Sequence, residues 1–328
     1  MNNIETKDIL IVGGGPVGVY SMTCAKMLGL SGLLIESNDK LGGQPQELYE
    51  NKNIYDIPGT IEVTGGNFAK QLIEQTKNAK NDKFEHFTNT FIDHIENIND
   101  LVKVKFSNDM IYLFKSILIT TGNGLFNPVK ADIREENIEN LHYKVNSESI
   151  FKNKKNIILG GGDSAVDWAN HFSQNSQNTI IIRRNEFRAK SIGVNLLNKN
   201  NVKVLKNLVL DSYVLKDKKL VELKFKDTSK DNEIISFTDF DNLLVQYGSK
   251  MSIGNNKLWN ISLTKFGKIL INQKSETSQA NIYAAGNCAG YDGKYYNLTT
   301  GFGEAITAIY NISKIIYGDK YHPGYLHN

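Results

Sequence analysis

Two short glycine-rich segments are the residues in this chain best suited to chemistry. The first is Gly13-Gly14-Gly15-Pro16-Val17-Gly18, directly after the apolar run Asp8-Ile9-Leu10-Ile11-Val12. The second is Gly160-Gly161-Gly162-Asp163-Ser164-Ala165, directly after Asn156–Leu159. In such a segment the first glycine permits a tight turn. The third position lets backbone approach an anion, and the small sixth residue (Gly18 or Ala165) lets a helix pack on the strand. The free amides at that helix's start, together with its dipole, suit a pyrophosphate. The copies differ twenty-three residues after their first glycine, where the first has Glu36 and the second has Arg183 followed by Arg184, with Arg188 beyond. A carboxylate there accepts hydrogen bonds from a free ribose 2′-hydroxyl, whereas paired guanidiniums suit a 2′-phosphate. The contrast points to two different dinucleotides, one with a bare ribose and the other NADP(H), and to redox chemistry between them.

Each glycine turn needs a strand before it and a helix after it. The sequence predicts a buried parallel strand over 8–12, a helix over 16–28 and a second strand over 31–36, a complete βαβ unit. Residues 39–66 read as loop, 67–80 as helix, and 84–96, 101–106 and 111–119 as strands of an antiparallel insert. The second unit combines 156–159, a helix to about 174 and a strand over 179–182. Strands and turns over 202–244 follow, then a strand over 281–287 and a last helix over 303–317. The expected class is α/β: two Rossmann-like three-layer dinucleotide-binding domains, one inserted in the other. The boundaries predicted are 1–117 plus 245–328 for the outer, discontinuous domain and 118–244 for the inner one.

Composition excludes other classes. At 40% hydrophobic and 22% charged residues the chain resembles an ordinary globular protein. Its net charge of +3 is far from a nucleic-acid footprint, and no basic run is interleaved with stacking aromatics. No run of apolar residues is long enough to span a membrane, and the polar start, Met1 to Thr6, is unlike a secretion signal. The six histidines form no ligand-spaced cluster, so no metal site is expected. Cys24 and Cys288 lie far apart in sequence, which is no disulfide framework and fits a reducing, cytoplasmic compartment.

The order of motifs resembles the flavin-dependent pyridine nucleotide oxidoreductases of the thioredoxin reductase type, and among them the ferredoxin–NADP⁺ reductases built on that fold. Matching stretches run nearly end to end. They are Ile11–Gly18, Glu36 with Leu41-Gly42-Gly43-Gln44, Leu48-Tyr49, Ile54-Tyr55-Asp56, Thr121-Gly122, Gly160–Ala165, Arg183–Arg188, Ala284–Asn287 and Thr300–Ala305. The resemblance implies FAD in the outer domain, NADPH in the inner one, and a homodimer. It places FAD against Gly13, Gly15, Pro16, Gly18, Glu36, Gly42, Gly43, Gln44, Gly122, Gly286, Asn287, Thr300 and Gly303. Tyr49 matches the family's aromatic on one flavin face, and Tyr325, after Pro323-Gly324, matches the ring over the other. Asn287 departs from the family, which has an aspartate there. Gly303 to Ala305 are expected to open the last helix, its dipole toward the flavin. NADP(H) is expected on Gly160, Gly162, Asp163, Ser164, Ala165, Arg183, Arg184 and Arg188.

Thioredoxin reductases carry a Cys-x-x-Cys shortly before the second glycine turn, and residues 141–158 here contain no cysteine. Dithiol exchange therefore lacks its nucleophile and its resolving thiol. Hydride transfer from NADPH to the flavin N5, then one-electron steps to ferredoxin or flavodoxin, fits what remains. No side chain is nominated as a catalytic acid, because the flavin carries the chemistry. Two other readings stay open: a quinone- or oxygen-reducing flavoenzyme, and a nucleotide-binding redox sensor without turnover.

Overall fold

The computed structural model describes residues 4–48, 50–145, 147–252 and 259–318. Two expected site residues, Tyr49 and Tyr325, lie outside the described residues. The chain forms two compact units, 1–125 with 251–328, and 126–250. The expected cuts at 118 and 244 would have split two strands, Ile111–Ile119 and Asn242–Val245, that are hydrogen-bonded ladder members throughout. The chain leaves and re-enters the first unit along a two-stranded ribbon, Leu125–Pro128 paired with Ser249–Ser252.

In the first unit, β1 (Thr6–Val12) leads through α1 (Pro16–Met27) to β2 (Gly32–Ile35). The helix starts on Pro16, whose missing amide hydrogen would have had no partner there. Nine of its residues are buried, which demands cover on more than one side. A six-residue helix, α2 (Gly43–Leu48), forms where loop was expected; Pro45 is tolerated because it falls in the first turn. Helix α3 (Gly65–Asn78) is capped by the Thr64 hydroxyl, which accepts from the Asn67 amide. The single strand expected over 84–96 is two: β3 (Phe84–Phe87) and β4 (Ile92–Ile98), with Asn89 at φ 50° turning the chain between them. β3 pairs parallel with β2, while β4 begins an antiparallel meander with β5 (Leu101–Phe106) and β6 (Ile111–Ile119). The end of β6 lies parallel between β1 and a late strand, Ile282–Ala284. The adjacent β1 and β6 thus end at the same edge of the sheet, each soon followed by a glycine (Gly13 and Gly122), and open α/β sheets bind ligands at the carboxyl ends of their strands.

The second unit repeats the plan. β7 (Lys155–Leu159), α4 (Asp163–Phe172) and β8 (Gln177–Ile181) precede α5 (Ser191–Lys199), a helix the sequence reading missed. β9 (Lys203–Leu205) extends the sheet on one side. An antiparallel sheet follows, β10 (Leu208–Lys216), β11 (Lys219–Asp227) and β12 (Glu233–Phe237). β13 (Asn242–Val245) then returns beside β7, with Leu141–His142 at its far edge. Three asparagines in one register tie the parallel strands together: Asn156 Nδ2 donates to Asn178 Oδ1 at 3.0 Å, and Asn242 Nδ2 donates to Asn156 Oδ1 at 3.0 Å. After β14 (Ile282–Ala284), back in the first unit, the chain ends its described part in α6 (Leu298–Tyr317). Among the described residues, no helix is long and apolar enough to cross a membrane, and no group of acidic, histidine or cysteine side chains could hold a metal ion.

Candidate functional site

The first glycine turn closes on itself through the backbone. A Cβ on Gly18 would stand 1.9 Å from the Gly13 carbonyl oxygen, so α1 leaves the strand at a distance only glycine permits. Gly13 itself has φ 108°. The Thr120 hydroxyl at the end of β6 reaches the Val12 and Gly13 carbonyls at 3.0 and 2.9 Å, tying the turn to the neighbouring strand. Glu36, buried at the end of β2, accepts from the Gly14 amide at 2.7 Å through one oxygen and from the Asn38 amide at 2.8 Å through the other. An ionised carboxylate has about four acceptor positions, so capacity remains for a ribose hydroxyl.

The 41–43 loop is laid against this turn. The Gly42 amide donates to the Gly14 carbonyl at 2.8 Å, and a Cβ on Gly43 would lie 2.8 Å from the Gly15 Cα. Gln44 follows in the first turn of α2. A Cβ on Gly15, by contrast, would meet nothing nearer than 4.0 Å, and Gly122, at φ 61°, faces open space. The amino end of α1 therefore opens on a gap bordered by backbone, as a pyrophosphate requires.

The other wall comes from the end of the chain. Gly286, in a 3₁₀ turn Gly286–Cys288 after β14, sits against Val17 of α1; a Cβ there would be 3.1 Å from the valine. A Cβ on Gly301 would be 2.7 Å from the same valine and 3.1 Å from the Gly286 Cα. Pro16, Gly286, Asn287 and Thr300, expected together, are thus carried by segments that converge. One expectation needs correcting. Gly303 does not open α6, which begins five residues earlier because Asn297 Oδ1 accepts from the Thr300 amide at 2.9 Å and caps it. Gly303 lies in the second turn, facing open space, and the free amides belong to the turn before it.

Sequence reasoning missed an ion pair inside this wall. The Lys294 side chain is 1% exposed and that of Glu304 7%. Lys294 Nζ donates to the Gly286 carbonyl at 2.7 Å, the Ala289 carbonyl at 3.0 Å and Glu304 Oε2 at 2.8 Å. Glu304 Oε2 also accepts from the Gly286 amide at 2.8 Å. The only sequence signal was a glutamate, the one acidic residue of α6, with a lysine ten residues before it.

The second turn has the same geometry. Gly160, at φ 140°, lies so close to β13 that a Cβ would be 2.2 Å from the Gln246 carbonyl. Ala165 is fully buried, and Gly162, the N-cap of α4, faces open space. The segment after β8 folds back over the turn: the Arg188 and Ala189 amides donate to the Gly161 carbonyl at 2.7 and 3.1 Å, and the Lys190 amide to Asp163 Oδ1 at 2.9 Å. Arg183, Arg184, Arg188 and Ser164 are all exposed around that opening. Asp163 thus has a local job, holding this loop.

Both thiols are poor nucleophiles. Burial pushes Cys24 up to about 11 despite a hydrogen bond from Tyr20, and burial also raises Cys288, whose Sγ donates to the Ile119 and Ala285 carbonyls. They sit in separate hydrophobic clusters.

Two glycine turns, one faced by a buried carboxylate and one by exposed guanidiniums, have the geometry that two dinucleotides would need. A family model described as pyridine nucleotide-disulphide oxidoreductase matches residues 7–311, and the chain belongs to that family. The ferredoxin–NADP reductase of Malacoplasma penetrans is 38% identical over 319 residues, covering 95% of this chain and 98% of that one. The ferredoxin–NADP reductase of Streptococcus gordonii is 37% identical over 322 residues, 96% of each. Thioredoxin reductases of Lactococcus lactis and T. acidophilum share the fold, with TM-scores of 0.75 and 0.76 at 23% and 21% identity, over 95% of this chain and 99% of theirs. The chain is an FAD-dependent oxidoreductase that works with NADP(H).

Proposed function

We propose that this enzyme moves electrons between NADPH and ferredoxin or flavodoxin, with FAD in the first unit and NADP(H) in the second. The observation that carries the reading is the contrast between Glu36 and the Arg183–Arg188 loop, in a chain whose two thiols are buried in separate clusters. The names of the relatives favour ferredoxin as the protein partner. A homodimer and a cytoplasmic location complete the reading.

FAD, when bound, supplies a ring that accepts hydride from NADPH and passes electrons singly to a protein. The chain's own residues do the rest. Gly13, Gly15 and the start of α1 receive the FAD pyrophosphate, Gly42 and Gly43 border it, and Glu36 orients the ribose. Gly286, Asn287, Thr300 and Gly122 line the flavin end, and an amide at 287 still accepts a ribityl hydroxyl. Tyr49 and Tyr325 are proposed to cover the flavin faces. Gly160, Gly162, Ser164 and the start of α4 receive the NADP(H) pyrophosphate, and Arg183, Arg184 and Arg188 its 2′-phosphate. No protein acid is required, since hydride transfer depends on positioning.

Anaerobic titration tests this. The purified protein is expected to be yellow, to bleach with NADPH, and then to reduce cytochrome c only when ferredoxin or flavodoxin is added. A colourless protein that cannot be reconstituted sinks the reading, and cytochrome c or quinone reduction at full rate without a protein carrier replaces it with a different flavin reductase.

A further inference from the structure

Lys294 and Glu304 form a buried pair of opposite charges inside the wall of the first site; Lys294 Nζ donates to Glu304 Oε2, and Glu304 Oε1 accepts no hydrogen bond among the described residues. All three ammonium hydrogens of Lys294 have acceptors: the Gly286 and Ala289 carbonyls and Glu304. Glu304 in turn holds the Gly286 amide, so both backbone polar groups of Gly286 end on this pair. Burying two charges is expensive, and a hydrophobic pair of similar volume is often as stable or more so. Core stability alone is therefore a poor reason for the pair.

The placement offers a better one. Gly286, Gly301 and Val17 meet within contact distance, which joins the 3₁₀ turn, the first turn of α6 and the start of α1. Glu304 stands one helical turn beyond Gly301 on α6, and Lys294 on the loop before it. The rings of Tyr291 and Tyr296 lie 5.5 and 5.2 Å from the Lys294 ammonium. The position matching the family aspartate is the neutral Asn287, so the nearest carboxylate fixed to this turn is Glu304.

We propose that the Lys294–Glu304 pair is a positioning device for FAD: it locks the Gly286–Asn287 turn onto α6 and holds two balanced charges beside the flavin cradle, so that reduction is neither favoured nor opposed there. The inference rests on the first unit being the FAD site. Its test follows from sign. Two-electron reduction adds negative charge to a bound flavin. Glu304→Gln leaves the Lys294 cation uncompensated and is expected to raise the two-electron midpoint potential. Lys294→Gln leaves the Glu304 anion and is expected to lower it. Each shift should be at least tenfold in the reduced-to-oxidised ratio at fixed potential, about 30 mV for a two-electron couple.

Potentials measured at pH 8 by dye equilibration decide it. Shifts of opposite sign support the proposal, because a purely structural loss would move both variants the same way. Shifts of the same sign, or none in either, overturn it. Should a single variant fail to fold, the charge-free Lys294→Met/Glu304→Leu double variant decides instead. It is expected to keep a near-native potential while releasing FAD with a dissociation constant about tenfold higher, about 1.4 kcal/mol. A double variant that holds FAD as the native protein does overturns the proposal. A colourless native protein removes the FAD reading as well, whereas yellow protein with same-sign shifts removes only this inference.

Discussion

Glu36 and Arg183 occupy one position in two copies of a turn, and their surroundings differ as much as their charges. Glu36 is buried and bonded to two backbone amides, while Arg183 is exposed beside Arg184 and Arg188. Ionic hydrogen bonds are worth about 1.5–3 kcal/mol each. Arg183→Ala should accordingly raise the Michaelis constant for NADPH about 10- to 100-fold and leave that for NADH nearly unchanged. Steady-state ferricyanide reduction with both nucleotides checks this, and an unaltered NADPH preference refutes it. A second expectation concerns sulfur. With Cys24 pushed up to about 11 and Cys288 raised by burial, almost no thiolate exists at neutral pH. The Cys24→Ala/Cys288→Ala enzyme should keep most of its NADPH-driven activity, and loss of turnover with a folded, flavin-bearing protein would show a thiol in the electron path. The glycines, Glu36 and the arginines could be found in the sequence because their spacing carries a mechanism. Lys294 and Glu304 could not, since they lie in different elements and only the fold joins them.

Elements were legible where periodicity was strong. Strands β1, β2, β6 and β7 and helices α1, α3 and α4 fall within a few residues of expectation, because each is a short apolar run or an amphipathic stretch flanked by glycine. The misses have local causes. The expected start of α6 at Gly303 falls five residues late, because the Asn297 cap starts the helix before both glycines and Gly301 is needed for the close approach to Gly286. α5 is not legible because its nine residues set Gly193, Asn195 and Asn198, poor helix formers, among its four apolar positions. The asparagines of the second sheet were not legible at all, since register across strands is a property of the fold. They make a prediction at this scale. Asn156 Nδ2 also donates to the Phe151 carbonyl at 3.0 Å, so Asn156→Ala removes a hydrogen bond from each of three buried neighbours, of which the Phe151 carbonyl keeps Ser176 and Asn242 keeps the Ile150 carbonyl. Each buried group left unsatisfied costs about 1–3 kcal/mol. The variant should lose about 2–5 kcal/mol by urea denaturation followed at the second unit, and a loss below about 1 kcal/mol would show that water replaces the amide.

For the whole molecule, the decisive property is that each unit has a core of its own. Among the described residues two hydrophobic clusters lie wholly within the first unit, and two others, centred on Leu243 and Phe225 and on Val166 and Phe172, lie wholly within 126–250. The inner unit is a contiguous stretch of 125 residues, near the commonest domain size. It also carries its glycine turn, the arginine loop and the three asparagines, so nothing assigned to NADP(H) lies elsewhere. A fragment spanning residues 126–250 should therefore fold alone, colourless, with a cooperative thermal transition. NADP⁺ at a hundred times its dissociation constant should stabilise it by about 2.7 kcal/mol through mass action. NAD⁺ at the same concentration should do far less, and Arg183→Ala should abolish the difference. Calorimetry with both nucleotides measures all three effects. A fragment that melts without cooperativity would mean that the outer unit is needed to complete the inner one. A folded fragment stabilised equally by both nucleotides would remove the arginines from 2′-phosphate recognition, and with them the contrast between the two glycine turns on which the two-nucleotide reading stands.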